Sequence, residues 1–157
     1  MKGTLRACAA VFVLLFPYTP ACSADPLGAM RPQVSAVTAK GTEHPYAERR
    51  GALEKLGRDL TADEAAALLD FLSRRPGDDA LPANLLNALK NDVANLIVSQ
   101  HELPPNAGSR FVAMFGDVEQ DGAWRDYCMQ FLGVLYGRVG EEDRKAMRAA
   151  FAEGMKE

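Results

Sequence analysis

From residue 45 onward, apolar positions recur at intervals of three and four. Ala65, Leu68, Leu69 and Leu72 fall at i, i+3, i+4 and i+7, one face of a helix. The same period carries Leu85, Leu86, Leu89, Val93, Leu96 and Ile97 through residues 82–100. It carries Phe111, Val112, Met114 and Phe115 through 107–118. A fifth helix runs to residue 139, with Trp124, Tyr127, Cys128, Phe131, Leu132 and Leu135 on its apolar side, and a sixth follows Gly140 with Met147, Ala150 and Phe151. The first spans 45–58. No strand alternation and no Asn-Gly or Asp-Gly hairpin signal interrupts them. The chain is therefore expected to be all-α, with about six helices.

Punctuation supports the same boundaries. Thr61-Ala62-Asp63-Glu64 is a capping box: the Thr hydroxyl and the Glu carboxylate can each satisfy a free backbone N–H. Pro76-Gly77 and Pro104-Pro105 are stops. Asp121 can cap the fifth helix, and Glu141 and Glu142 suit the positive end of the sixth.

The helices also repeat. Arg49-x-x-Ala52-x-x-x-Leu56-Gly57 returns as Arg125-x-x-Cys128-x-x-x-Leu132-Gly133, with a degraded copy, Leu86-x-x-Leu89-x-x-x-Val93-Ala94, between them. Leu68, Leu69, Phe71 and Leu72 likewise map onto Phe111, Val112, Met114 and Phe115. A period near 40 residues with two helices per unit marks an α-solenoid. Asp121, Trp124, Arg125, Cys128 and Leu132 resemble the start of the second helix of a HEAT repeat: an Asp at the turn, an apolar residue before an Arg, a small residue, then a Leu. The resemblance covers residues 45–157, and Leu86 departs from it by standing where the Arg should be. It implies a right-handed α-solenoid of antiparallel helix pairs, and surfaces for interaction in place of a reaction.

The N-terminal segment has another character. Lys2 and Arg6 precede an apolar run of ten residues, 7–16; Pro17 ends it, and Ala21-Cys22-Ser23-Ala24 are small. That is the layout of a secretory signal peptide over 1–24, too short to span a bilayer. Export to the periplasm or the extracellular space is the expectation. Two cuts fit: one after Ala24, the other before Cys22, which would then carry a lipid anchor. Residues 25–44 hold Pro26, Gly28, Pro32 and Gly41 without helical period and read as a flexible linker, reaching roughly 25 Å. The helical repeat domain is expected over 45–157.

Without residues 1–24 the chain has 16 basic and 21 acidic residues, a charge of −5, and no basic stripe. That argues against a nucleic-acid partner. Membrane contact is expected only through a lipidated Cys22. Cys128 is then the lone thiol of the domain and reads as a small buried hydrophobe, since nothing near it in sequence would lower its pKa. His44 and His101 lack metal-site spacing. Asp78-Asp79, Asp117/Glu119/Asp121 and Glu141-Glu142-Asp143 fit turns and helix starts. No catalytic residue, metal ligand or cofactor is assigned.

One pattern remains. Asn84, Asn87, Asn91 and Asn95 step by three and four along a single helix, opposite its apolar arc. Four Asn cost about 1–2 kcal/mol of helix propensity against Ala. The repeat register sets Arg50, Glu54 and Arg58 on one side of them and Asp126 and Gln130 on the other. With Asn87, Asn91 and Asn95, these form a polar strip on the concave side of a HEAT-like stack. As function it is a groove for a protein or peptide. The plain alternative is a solvated face, or Asn side chains bridging neighbouring units. The leading expectation is an exported, non-enzymatic interaction protein. A structural or assembly subunit tethered through Cys22, self-association, and an enzyme of unrecognised class remain open beside it.

Overall fold

The computed structural model describes residues 30–154. These form seven α-helices and no strand: α1 (Pro32–Val37), α2 (Tyr46–Leu53), α3 (Ala62–Leu72), α4 (Ala83–Ser99), α5 (Ala107–Gly116), α6 (Gly122–Leu135) and α7 (Glu141–Gly154). The six expected helices are α2 to α7. The signal-peptide segment, its cut and Cys22 lie outside the described residues.

The additional helix corrects the reading of 25–44 as a tether, at least from residue 32. Pro32 sits in the first turn of α1, where its missing N–H leaves nothing unsatisfied. Val34 and Val37 point inward and are fully buried. Arg31 anchors the start. Its guanidinium grips the Glu64 carboxylate with two bonds of 2.7 Å, and its backbone N–H adds a third. Glu64 also closes the capping box on Thr61, as expected. One carboxylate thus fastens the starts of α1 and α3. The Arg31 bonds outweigh burial and hold its pKa down at about 2.

Each odd helix packs on the even helix that follows: α1 on α2, α3 on α4, α5 on α6. The even helices touch in chain order, α2 to α4 to α6. On the opposite side α1 meets α3, and α5 meets α7. A single apolar core runs between the two sets, including Leu68, Phe71, Leu89, Phe111, Trp124 and Leu132. Each such side chain contributes about 1.5–3 kcal/mol of burial. Phe111 and Phe131 meet at 5.6 Å between ring centres, tilted by 50°.

Two local devices seat α7. Asp143 accepts from the Ser109 backbone N–H at 3.1 Å, so the acidic start of α7 caps α5. Gly108 lets the helices approach: a Cβ there would lie 2.8 Å from the Met147 methyl and 2.9 Å from the Asp143 Cβ. Elsewhere the helices are shorter than expected. α2 stops at Leu53, not 58, and α6 stops at Leu135, where Arg138 and Val139 turn back onto the Leu135 carbonyl.

Candidate functional site

A row of basic side chains positions the even helices. Arg49 on α2 is fully buried and donates from Nε to the carbonyl of Val37, the last residue of α1, at 3.0 Å. Its terminal nitrogens pair with both Asp79 oxygens at 2.7 and 2.9 Å. Arg74 binds the same carboxylate at 2.8 Å and reaches back to the carbonyls of Thr38 and Ala39. Burial opposes ionisation of Asp79. The two guanidiniums and the Leu81 N–H overcome it and lower its pKa. Asp79 is therefore a buried ion-pair centre and not the turn residue expected; Asp78 keeps that role, accepting from the Arg75 N–H.

On α4 Leu86 does stand where the Arg was expected, yet the bond is made. Lys90, one turn along, donates to the carbonyl of Arg74 just beyond α3 and to Gln120 Oε1 at 3.0 Å. Gln120 in turn donates to the Ser73 carbonyl at 2.8 Å. Lys90 is only 1% exposed, and its ammonium lies 5.0 Å from the Trp124 ring centre. Burial lowers its pKa to about 8, partly offset by nearby acidic groups. In both rungs the acceptor lies 30 residues after the base. On α6 Arg125 makes the first bond, from Nε to the Phe115 carbonyl at 2.8 Å. No described residue accepts from its terminal nitrogens.

The exposed face of α2, α4 and α6 carries most of the expected strip. Arg50 pairs at 3.5 Å with Glu54, the residue that caps the end of α2, and reaches Asp92 on α4 at 3.7 Å. Asn91 is half-buried, and Asn95, Asp126 and Gln130 are exposed. Asn95 donates to the Asn91 carbonyl on its own helix. Tyr127, expected in the core, stands 36% exposed beside them, as does Val134 at 55%. Two members differ. Arg58 lies beyond the end of α2. Asn87 is 8% exposed and donates to Asp121 at 2.7 Å, while Asp121 caps α6 through the Ala123 N–H. Asn87 bridges neighbouring helices; Asn91 and Asn95 do not.

Cys128 is fully buried, and burial pushes its thiol up to about 12, against the pull of the Lys90 charge. The Trp124 indole N–H is buried without an acceptor. His44 is partnered by Glu48 at 3.3 Å. Among the described residues no group of three or more His, Cys, Asp or Glu is placed to hold a metal ion, and no helix is long and apolar enough to cross a membrane. A cleft of about 460 Å³ opens away from the strip, between α5 and α7, with Arg125 on its wall.

No family model matches the chain, and neither curated proteins nor solved structures yield a match to it.

Proposed function

We propose that the chain is a short, right-handed, HEAT-like α-solenoid that is exported and acts without catalysis, by binding another protein or peptide across its even-helix face. The observation that carries this reading is the exposed strip itself. Arg50, Glu54, Asn91, Asn95, Asp126 and Gln130 are displayed side by side on three helices packed in order, with Tyr127 among them. An exposed aromatic within a polar field suits a binding face, because it offers large contact area at small entropic cost. The order of helix packing and the twice-repeated basic rung support the solenoid reading. The N-terminal charge-and-apolar pattern supports export.

The test is affinity capture from the native envelope with the wild-type chain, an Asn91→Arg/Asn95→Arg variant and a Tyr127→Ala variant. Both spare the Asn87–Asp121 bridge. Partners lost from both variants support the face. Identical partner profiles in all three exclude it. The mass of the mature N-terminus tests export: an unmodified start at Asp25 places the cut after Ala24, a lipidated Cys22 makes the chain a tethered subunit, and an intact Met1 contradicts export.

A further inference from the structure

The even-helix face is complementary to itself. It runs along the side of the stack, not at an end. Arg49 and Arg125 make the same bond, each to a carbonyl at the end of the preceding odd helix. Arg50 and Asp126, one residue on, therefore stand at one height on α2 and α6, with α4 between them. Their charges are opposite. Arg50 has its nearest acidic oxygens at 3.5 Å on Glu54 and 3.7 Å on Asp92. Both are longer than the roughly 2.7–2.9 Å of a strong charge-assisted bond. Asp126 is exposed and has no partner among the described residues. One turn further, Glu54 and Gln130 match as acceptor and donor.

The same face carries unspent apolar surface. Four large apolar side chains are exposed among the described residues, and two of them, Tyr127 and Val134, stand two turns apart on one line of α6. On α2 the place of Tyr127 is held by Gly51, where a Cβ would meet nothing within 4 Å. A glycine inside a helix weakens it, and no described neighbour requires this one.

We infer that the face receives a second copy of this chain, a step that names the partner of the binding face proposed above and rests on that proposal. A twofold axis parallel to the helices, lying over α4 between the copies, sets α2 of each against α6 of the other at unchanged height. Arg50 then meets Asp126 of the second copy, and symmetry makes the contact twice. Tyr127 lies over the bare Gly51, and Gln130 donates to Glu54. At the axis Asn91 meets its own mate, and a carboxamide, holding donor and acceptor together, is its own complement. A twofold across the helices instead sets α6 on α6, whose outward line of Asp126, Tyr127, Gln130 and Val134 holds no base.

The test is sedimentation equilibrium of the chain as isolated from its host. The wild type is expected to dimerise in the micromolar range. Arg50→Asp and Asp126→Arg should each raise the dissociation constant at least about tenfold, because symmetry turns two attractive pairs into two repulsive ones. An equimolar mixture of these two variants should associate to within about threefold of the wild type, since opposite charges face each other again in the mixed dimer. Gly51→Gln should weaken association with no loss of monomer stability, because its side chain has open space within the chain. A wild type that stays monomeric to millimolar concentration overturns the proposal. Association indifferent to Arg50 and Asp126 does so too, as do single variants that fail to pair on mixing. If such a chain still loses captured partners with Asn91→Arg/Asn95→Arg and Tyr127→Ala, only the second copy is excluded and the even-helix face stands.

Discussion

The junction between α2 and α4 is closed by charge, and the junction between α4 and α6 by an amide. In the first, one buried carboxylate serves two guanidiniums and ties down the ends of α1 and α3. In the second, a buried lysine and a glutamine reach the end of α3 alone. The geometry is the same, base to carbonyl behind and to acceptor ahead, but the electrostatic stakes differ. A buried ion pair is costly to break one-sidedly, because the survivor is left charged in a poor solvent. A lysine whose pKa has already fallen can shed its proton instead. The two junctions thus share a bond pattern and not residues.

The sharpest way to break that contrast is Asp79→Ala. It strands Arg49 and Arg74 and should cost about 3–5 kcal/mol in urea unfolding. Lys90→Met should cost less, about 1–3 kcal/mol, since it orphans the Arg74 carbonyl and Gln120 Oε1 but removes a buried charge. Equal losses would erase the distinction between the junctions. Lys90 also makes a signed pH prediction. Its folded pKa, about 8, lies below the ordinary 10.5, so between those values the unfolded chain holds the extra proton. Stability from this group should rise with pH across that window, and Lys90→Met should flatten the rise. At the acid end Glu64 acts in the same sense, stability rising with pH between its two values. Its pKa is lowered from 4.5 to about 2, so its contribution is complete above 4.5 and is lost as pH falls through 2.

Val34→Ala should cost about 2 kcal/mol if α1 belongs to the core, two buried methyl groups at roughly 0.8 each plus the cavity. A change within a few tenths would return that segment to a tether. Smallest is the contrast along α4. Asn87→Ala should lose about 1 kcal/mol with its bond to Asp121. Asn91→Ala and Asn95→Ala should gain about 0.3–0.6 each from propensity. If all three behave alike, Asn87 is not a bridge.

What was legible in the sequence was local. Helical period, the Thr61–Glu64 capping box and the Asp121 cap are short-range features, and all stand in the fold. α1 escaped because six residues with two valines make too little period, and Pro32 looks like a breaker although it suits a first turn. Asp79 looked like a turn acid because its partners lie 30 and five residues back in sequence, the distant one with no local signal. Lys90 is followed by Asn91 and Asp92, company that ordinarily marks the solvated side of a helix. Of the Asn stripe, only the spacing was visible; which Asn turns inward depends on where Asp121 arrives.

The central claim is that Arg49 and Arg125 hold equivalent places, the first closed by Asp79 and the second with no acceptor for its terminal nitrogens among the described residues. Urea unfolding of Arg49→Ala and Arg125→Ala side by side tests it most directly. Loss of Arg49 should cost about 3–5 kcal/mol, because Asp79 is left buried beside one cation in place of two and the Val37 carbonyl loses its donor. Loss of Arg125, which gives up one backbone bond in a half-exposed setting, should cost about 1 kcal/mol. Equal losses would contradict the account, since they would mean that the third rung is already closed within the chain.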